Sequence, residues 1–217
     1  MQVKICGVRT REAARAAAEH GASAVGFVFA TSPRRVTPKQ AARLAACLSP
    51  GIATVAVFRH PTEQEVKEVL GEFSADLIQV ELGPVAQSAT GAGVRLLPVL
   101  HDGPELMDRL CALGPEQLNG VLLEAAGRGG SGIRPDWSRA ERLAQRVPLV
   151  LAGGLTPTNV RQAIHQVRPA AVDVSSGVES RPGKKDPGLI REFIRLAIAA
   201  DREVEPRPAP SRFVFMS

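Results

Sequence analysis

The sequence is poor in aromatic residues, with one tryptophan, seven phenylalanines and no tyrosine among 217 residues. Alanine, valine, leucine and isoleucine must therefore form most of the core of a folded domain. With 44% apolar residues, the chain is long enough for one domain with a sizeable core. α/β barrels often fill this length as a single domain.

The sequence also lacks a block of basic residues interleaved with aromatics. Its net charge is +5, and most of its basic residues are arginines spread along predicted helices beside acidic residues. This pattern argues against a nucleic-acid partner. A modest positive field suits a small anionic substrate instead.

Cysteine is scarce, and no apolar run is long enough to cross a membrane. Cys6, Cys47 and Cys111 are odd in number and show no CxxC spacing, which predicts free thiols in a reducing compartment and neither a disulfide framework nor a metal site. Met1 leads directly into a strand-like run, so no signal peptide is expected. The expected location is the cytoplasm, without a membrane partner.

Short apolar runs alternate with segments of helical character along the whole chain. Thr10 precedes a helical segment that closes on Gly21, and Thr62 with Glu65 has the spacing of a capping box. The fourth helix, around GPVAQSATGAG, has the weakest pattern, and Pro98 predicts a bulge or an early end in the fifth strand. The eight predicted strands are 3–7, 24–29, 54–58, 76–81, 95–100, 120–125, 148–154 and 170–177.

Eight strands alternating with helices predict a parallel α/β sheet with right-handed crossovers, most simply a closed (β/α)8 TIM barrel in a single domain, residues 1–200. An open doubly wound sheet is the alternative, but it needs a glycine-rich turn after the first strand, where KICGVRT has one glycine. Residues 201–217 are predicted to form a proline-rich C-terminal extension. Its FVFM segment indicates either a mobile terminus or a segment docked on its own barrel or on a neighbouring subunit.

Polar and small residues gather where the predicted strands end, whereas the strand interiors are apolar. Because the active sites of such barrels lie at the C-terminal ends of the strands, this asymmetry predicts the site there. The loops LAGGLTPTNV and DVSSGVES follow strands seven and eight and offer backbone N–H groups and hydroxyls for a phosphate. Tight turns would explain either loop alone, but both together favour phosphate binding by Gly153, Gly154, Ser175, Ser176 and Gly177.

Lys4 and Cys6 lie on the same face of the first strand, directed into the mouth of the barrel. A nearby ammonium lowers the pKa of a thiol, so Cys6 is a candidate base or nucleophile. The alternative is a small buried apolar residue. Arg34, in the loop TSPRRV, either holds a substrate carboxylate with its planar fork or belongs to a solvated basic turn.

Five motifs, taken together, resemble phosphoribosylanthranilate isomerase of tryptophan biosynthesis. They are KICG, GFVFATSPR, GGSG followed by DW, GGLTPTNV, and VRPAAVDVSSGVESRPGKKD, in order from about residue 3 to about residue 198. The resemblance implies a (β/α)8 barrel and an Amadori rearrangement of an aminoaldose phosphate to a 1-deoxyketose phosphate, without cofactor or metal. The implied partner is a small phosphosugar, and the implied assembly is a monomer or homodimer.

The resemblance also implies roles for individual residues. Cys6 matches the general base of the family, and Arg34 matches the arginine that holds the anthranilate carboxylate. Glu124 stands where the family has an aspartate as general acid. The two loops match its phosphate site, and four further residues are expected to bind the substrate: Lys4, Gln79, Glu81 and Asp173.

Two of these positions depart from the family. Glu124 is one methylene longer than the family aspartate, which moves its carboxyl group by roughly 1 Å. The family reads Gln-Leu-His-Gly on strand four, where this chain has Gln79-Val80-Glu81-Leu82, so an anion replaces an imidazole unless Arg59, His60 or a substrate amine compensates. The alternatives to the family reaction are a paralogue for another phosphorylated aminosugar or N-glycoside, and a phosphosugar-binding protein without turnover.

Overall fold

Eight parallel strands form a closed barrel in which each strand pairs with its neighbour in the chain and the last pairs with the first. The computed structural model describes residues 1–81, 94–113, 119–126, 132–204 and 214–215. The predicted barrel is confirmed, and its strands lie where the sequence places them. They are β1 (Gln2–Cys6), β2 (Ala24–Val28), β3 (Ala53–Val57), β4 (Leu77–Glu81), β5 (Arg95–His101), β6 (Val121–Glu124), β7 (Leu149–Leu151) and β8 (Ala171–Val174).

Helices cover the outside of this barrel, and local sequence determines where several of them begin. The Thr10 side chain caps α1, and the predicted capping box of Thr62 and Glu65 is present at α3. Gly21 follows α1 with a φ of +89°, as a C-terminal glycine requires. The α-helices in the described residues are α1 (Arg11–Glu19), α2 (Pro38–Ala45), α3 (Glu63–Glu72), α4 (Leu106–Ala112), α5 (Trp137–Ala144), α6 (Val160–Val167) and α7 (Pro187–Glu203).

The strand alternation separates two apolar clusters. One lies between the sheet and the helices, and the other fills the inside of the barrel with residues such as Val55, Leu97 and Val150. The chain after β8 forms a short 3-10 helix (Ser176–Val178) and a hairpin of β9 (Glu179–Arg181) and β10 (Lys184–Lys185) before α7. None of the described helices is long and apolar enough to span a bilayer.

Pro98 does not interrupt β5, so the predicted bulge or early end is wrong. The register with β4 runs without a shift from Arg95 to Val99, and the strand continues to His101. β5 pairs with β6 only from Val99 onward, which places the proline before the second ladder begins. The predicted fourth helix, around GPVAQSATGAG, lies outside the described residues.

The C-terminal segment returns to the barrel. Helix α7 continues to Glu203, and Val214 and Phe215 are buried with 1% and 2% of their surfaces exposed. Both belong to the apolar cluster inside the barrel, at the end formed by the first residues of the strands. We call this end, where the strands begin, the barrel floor. The burial of these two residues agrees with a docked segment and not with a mobile terminus.

Candidate active site

Lys4 and Asp173 form an ion pair inside the barrel. They are direct partners in the β1–β8 register, and Lys4 Nζ donates to Asp173 Oδ1 at 2.8 Å. Burial of Lys4 acts to lower its pKa, but Asp173 and Cys6 outweigh burial and raise the pKa to about 12. Lys4 is therefore a permanent cation beside Cys6.

Cys6 ends β1 on the same inward face as Lys4 and is 7% exposed. Burial raises the pKa of its thiol, since the desolvation of a thiolate outweighs the attraction of Lys4 and Lys185, and Asp173 adds to the increase. The lowering effect of Lys4 on the pKa of Cys6 is present, as expected, but burial outweighs it and the net pKa is raised. Near neutral pH the free protein therefore holds Cys6 mainly as a neutral thiol.

Glu124 ends β6 and faces the same mouth of the barrel. Burial raises the pKa of its carboxyl group, and the negative charges of Asp173 and Glu81 raise it further against the opposing effects of Lys4 and His101. A carboxyl group with a raised pKa keeps its proton closer to neutral pH, as a general acid requires. Glu124 is therefore a candidate proton donor at the barrel mouth.

Three cationic or potentially cationic side chains surround Glu81 at the end of β4. Arg59 Nε lies 3.0 Å from Glu81 Oε1, His60 Nε2 lies 3.3 Å from Oε2, and His101 Nε2 lies 3.4 Å from Oε1. The expected ion pair with Arg59 is thus confirmed, and His60 lies within contact distance of the same carboxylate. The anion that replaces the family imidazole is not isolated at the mouth.

The sequence reasoning missed His101. The predicted fifth strand stopped at residue 100, and the expected disturbance at Pro98 hid the alternation that continues beyond it. Leu97 and Val99 both belong to the cluster inside the barrel, so the residue two positions later lies on the inward face as well. His101 Nδ1 lies 3.3 Å from the carbonyl oxygen of Ala125, so its two nitrogens connect Glu81 with the loop after Glu124.

Gln79 is buried on the inward side of β4 with 4% of its surface exposed. Its Oε1 makes no hydrogen bond within the part of the chain that the structure describes. A buried acceptor without a partner costs about 1–3 kcal/mol. Gln79 is therefore a candidate acceptor for a hydroxyl or amine of a substrate in the mouth.

Arg34 is held by a carboxylate that the sequence analysis did not name. Arg34 Nε and Nη2 donate to the two carboxylate oxygens of Glu179 at 2.8 and 2.9 Å. Lys185 Nζ donates to Glu179 Oε1 at 2.8 Å and to the carbonyl oxygen of Ser175 at 2.9 Å. Glu179 and Lys185 both lie in the motif VESRPGKKD, which signals the hairpin but not this contact.

Close backbone contacts set the position of Arg34. Gly7 has a φ of +77°, and a Cβ at this position would lie 2.6 Å from Arg34 Cδ. Burial acts to raise the pKa of Glu179, but Arg34 and Lys185 outweigh it and lower the pKa. The Arg34 guanidinium is thus fixed at the rim by an anion that stays charged, with one edge of its fork engaged.

The loops after β7 and β8 meet at the predicted phosphate site. Gly153 and Gly154 have positive φ angles of 84° and 60°, and a Cβ on Gly177 would lie 1.8 Å from the carbonyl oxygen of Leu155. Two touching loops rich in glycine and serine offer backbone amides that suit a phosphate dianion, and phosphate binding here remains a prediction.

Ser175 differs from the other predicted phosphate ligands. Its hydroxyl donates to the carbonyl oxygen of Cys6 at 3.2 Å and receives a hydrogen bond from Lys185 Nζ at 3.3 Å. The hydroxyl therefore links the phosphate loop to the end of β1. Among the described residues, no group of three or more histidine, cysteine, aspartate or glutamate side chains is arranged to hold a metal ion.

Comparison with known proteins agrees with the barrel fold. A family model described as "N-(5'phosphoribosyl)anthranilate (PRA) isomerase" matches residues 3–196. The chain is 40% identical over 204 residues to the N-(5'-phosphoribosyl)anthranilate isomerase of Geobacter sulfurreducens, and the alignment covers 91% of this chain and 98% of the relative.

Solved structures show the same similarity. A crystal structure of phosphoribosyl anthranilate isomerase in complex with reduced 1-(o-carboxyphenylamino)-1-deoxyribulose 5-phosphate matches with a TM-score of 0.79 and 35% identity, covering 92% of this chain and 99% of that chain. Monomers of the dimeric phosphoribosylanthranilate isomerase from Thermotoga maritima match with a TM-score of 0.79 and 35% identity, covering 91% and 98%.

Proposed function

Since the chain belongs to the N-(5'-phosphoribosyl)anthranilate isomerase family of enzymes, we propose that it isomerises N-(5'-phosphoribosyl)anthranilate, with Glu124 as general acid and Cys6 as general base. This reaction is the aldose-to-ketose step of tryptophan biosynthesis. The observation that carries the proposal is the presence of two titratable groups, Cys6 and Glu124, at the same mouth of the barrel. The pKa of Cys6 responds to Glu124, and both groups respond to the Lys4–Asp173 ion pair between β1 and β8.

The first step opens the ribose ring. Glu124 donates its proton to the ring oxygen while the C1′–O bond breaks and the lone pair of the anthranilate nitrogen forms the C1′=N bond of a protonated Schiff base. A raised pKa favours this role, because the carboxyl group must hold its proton until the substrate is bound. After this step Glu124 is a carboxylate, and it lies close to the cation of Lys4.

In the second step, the thiolate form of Cys6 removes the C2′ proton. The electrons of the C–H bond neutralise the Schiff base and give an enolamine, which tautomerises to the 1-deoxyribulose ketone. Lys4 and Lys185 stabilise the thiolate, although burial keeps its population small in the free protein. Glu124 has then lost one proton and Cys6 has gained one, so the transfer of one proton from Cys6 to Glu124 restores the enzyme.

The remaining groups of the site bind the two ends of the substrate. The amides of Gly153, Gly154, Ser176 and Gly177 bind the phosphate, and Arg34 holds the anthranilate carboxylate from the opposite side of β1. No observation favours a different phosphosugar or a binder without turnover. The departure that suggested another substrate, Glu81, forms an ion pair with Arg59, and His60 and His101 lie within 3.3 and 3.4 Å of its carboxylate.

The direct test is turnover of freshly made N-(5'-phosphoribosyl)anthranilate by the wild-type protein, followed by the fall in anthranilate fluorescence. We expect a kcat in the usual range for enzymes, about 1–10³ s⁻¹. A preparation that is folded and binds the phosphosugar but gives no turnover would contradict the proposal. If Glu124→Asp or an added Glu81→His then restored activity, the scaffold would serve another phosphosugar.

Gly26 leaves room for the base, and we expect Gly26→Ala to lower kcat. A Cβ at Gly26 would lie 3.1 Å from Cys6 Sγ and 3.2 Å from Lys4 Cε, so it displaces the thiol. The neighbouring atoms must shift by a few tenths of an ångström, and because a misplacement of about 1 Å costs about 10²-fold in rate, we expect a smaller loss than that. Steady-state kinetics should show the loss in kcat, whereas Gly71→Ala, which has no atom within 4 Å of its added Cβ, should keep wild-type turnover. Equal activity of the two variants would argue against Cys6 as the base.

Arg34→Lys tests how the anthranilate carboxylate is bound. Lysine keeps the charge but loses the planar fork, so we expect KM to rise about tenfold while kcat changes little. The control is a substrate built on aniline, which lacks the carboxylate. The wild type should prefer the anthranilate compound, and the variant should treat the two compounds alike; an unchanged preference would remove Arg34 from this role.

A further inference from the structure

The barrel floor, at the opposite end from Cys6 and Glu124, is occupied by part of the C-terminal segment. Val214 and Phe215 lie in it with almost no exposed surface and join the apolar cluster inside the barrel. The same cluster includes the first residues of four strands, Ala24, Ala53, Leu77 and Ala171.

Two polar side chains of the floor bind the main chain of the seated segment. The Phe215 amide donates to Gln2 Oε1 at 2.9 Å, and Arg95 Nη2 donates to the Phe215 carbonyl oxygen at 3.1 Å. Gln2 is itself 8% exposed. The pocket thus satisfies both backbone groups of one residue while it buries apolar side chains, which is the pattern of a peptide-binding site.

Gly120 shapes this pocket. It precedes β6 with a φ of +155°, and a Cβ there would lie 3.2 Å from both methyl carbons of Val214 and 3.0 Å from the carbonyl oxygen of Pro148. A side chain at this position would therefore crowd the seated valine. The floor is fitted to this segment by both its backbone and its side chains.

The chain leaves α7 beside the floor, which favours its own tail as the occupant. The N-terminal amine of Met1 pairs with Asp201, in the last turn of α7, so this helix ends next to the start of β1. Nine residues, 205–213, separate Val204 from Val214. At about 3.3–3.6 Å per residue, this length is ample to reach the centre of the floor.

We propose that the barrel floor is a binding site for a short apolar peptide and that its occupant is the C-terminal segment of the same chain, around Val214–Phe215. The segment closes the barrel at the end opposite the active site. It adds to stability through its own burial and does not take part in the chemistry. A chain that lacks the segment retains an open pocket that binds the free peptide.

The test compares the full-length chain with a chain that ends at Val204. We expect the melting temperature of the shorter chain to be about 5–10 °C lower, because the burial of a valine and a phenylalanine is lost. Turnover at 25 °C checks that the shorter chain is folded and should be unchanged. The synthetic peptide SRFVFMS, residues 211–217, should raise its melting temperature again when added at millimolar concentration, roughly the effective concentration of a short tether.

Matched controls separate the pocket from an unspecific effect. The same peptide with aspartate in place of Phe215 should give no recovery of the melting temperature. If the truncated chain does not fold, full-length Phe215→Ala replaces it in the test and should have a lower melting temperature than the wild type. A melting temperature within about 1 °C of wild type, or equal recovery by both peptides, would overturn the proposal. If truncation halves the mass measured by light scattering, the tail binds a second copy of the chain, and the proposed occupant is wrong.

Discussion

Replacing Cys6 with serine is expected to lower kcat by about 10²–10⁴-fold, the usual contribution of a general base. Serine is close to the size of cysteine and keeps the buried position, but its hydroxyl is far less acidic than a thiol and supplies almost no anion near neutral pH. KM should change by only a few-fold, because substrate binding is proposed for Arg34 and the phosphate loops and not for Cys6. Steady-state kinetics and a melting curve on the same preparation measure both effects.

The matched control for this variant is Cys111→Ser on the exposed surface of α4. It removes a thiol without touching the barrel mouth and should keep wild-type kcat. If Cys6→Ser retained more than a tenth of wild-type kcat, the proton at C2′ would have to be removed by another group. The buried thiol would then be only a packing residue beside Lys4.

Replacing Glu124 with glutamine is expected to lower kcat by about 10²–10³-fold. Glutamine has the same shape but no acidic proton, so the ring oxygen loses its donor. Glu124→Asp keeps the acid and retracts it by roughly 1 Å, so it should retain more activity than glutamine. Equal activity of Glu124→Gln and the wild type would exclude Glu124 as the acid.

The pH dependence of kcat/KM gives a second readout for Glu124. The active form carries a proton on Glu124 and none on Cys6, although the thiol has the higher pKa. The wild-type profile should therefore rise up to the raised pKa of Glu124, stay level, and fall above the raised pKa of Cys6. In Glu124→Gln only the thiol titrates, so the residual activity should rise through neutral pH toward the pKa of Cys6.

The raised pKa of Glu124 should also make the free energy of unfolding depend on pH. Between the ordinary carboxyl value of 4.5 and the raised folded-state pKa, the folded wild type binds more protons at Glu124 than the unfolded chain. Its stability relative to Glu124→Gln is therefore greatest below 4.5 and declines as pH rises through the folded-state value. Each unit of raised pKa corresponds to about 1.4 kcal/mol in the unfolding free energy, which denaturant titrations at pH 4 and pH 8 would detect.

Local patterns in the sequence were sufficient for the fold. The alternation along runs such as 54–58, the caps at Thr10 and Thr62, and the glycine after α1 depend on neighbours a few residues away, so they are readable without a structure. The end of each strand follows from the same periodicity, which is why Cys6, Glu124 and Asp173 were placed at the mouth or beside it. Pro98 misled because a strand's pairing on each side depends on its neighbours in the sheet.

Charge and burial at the site were decided by the tertiary structure. The sequence by itself determined a barrel with Lys4 beside Cys6, but the pKa of Cys6 is raised, because burial depends on all the strands around it. Arg34 meets Glu179 across 145 residues, and His101 reaches Glu81 from a neighbouring strand. The sequence also showed an apolar FVFM segment, and only the closed barrel supplied the floor that buries it. Desolvation and long-range pairing are properties of the assembled fold, so sequence spacing alone does not carry them.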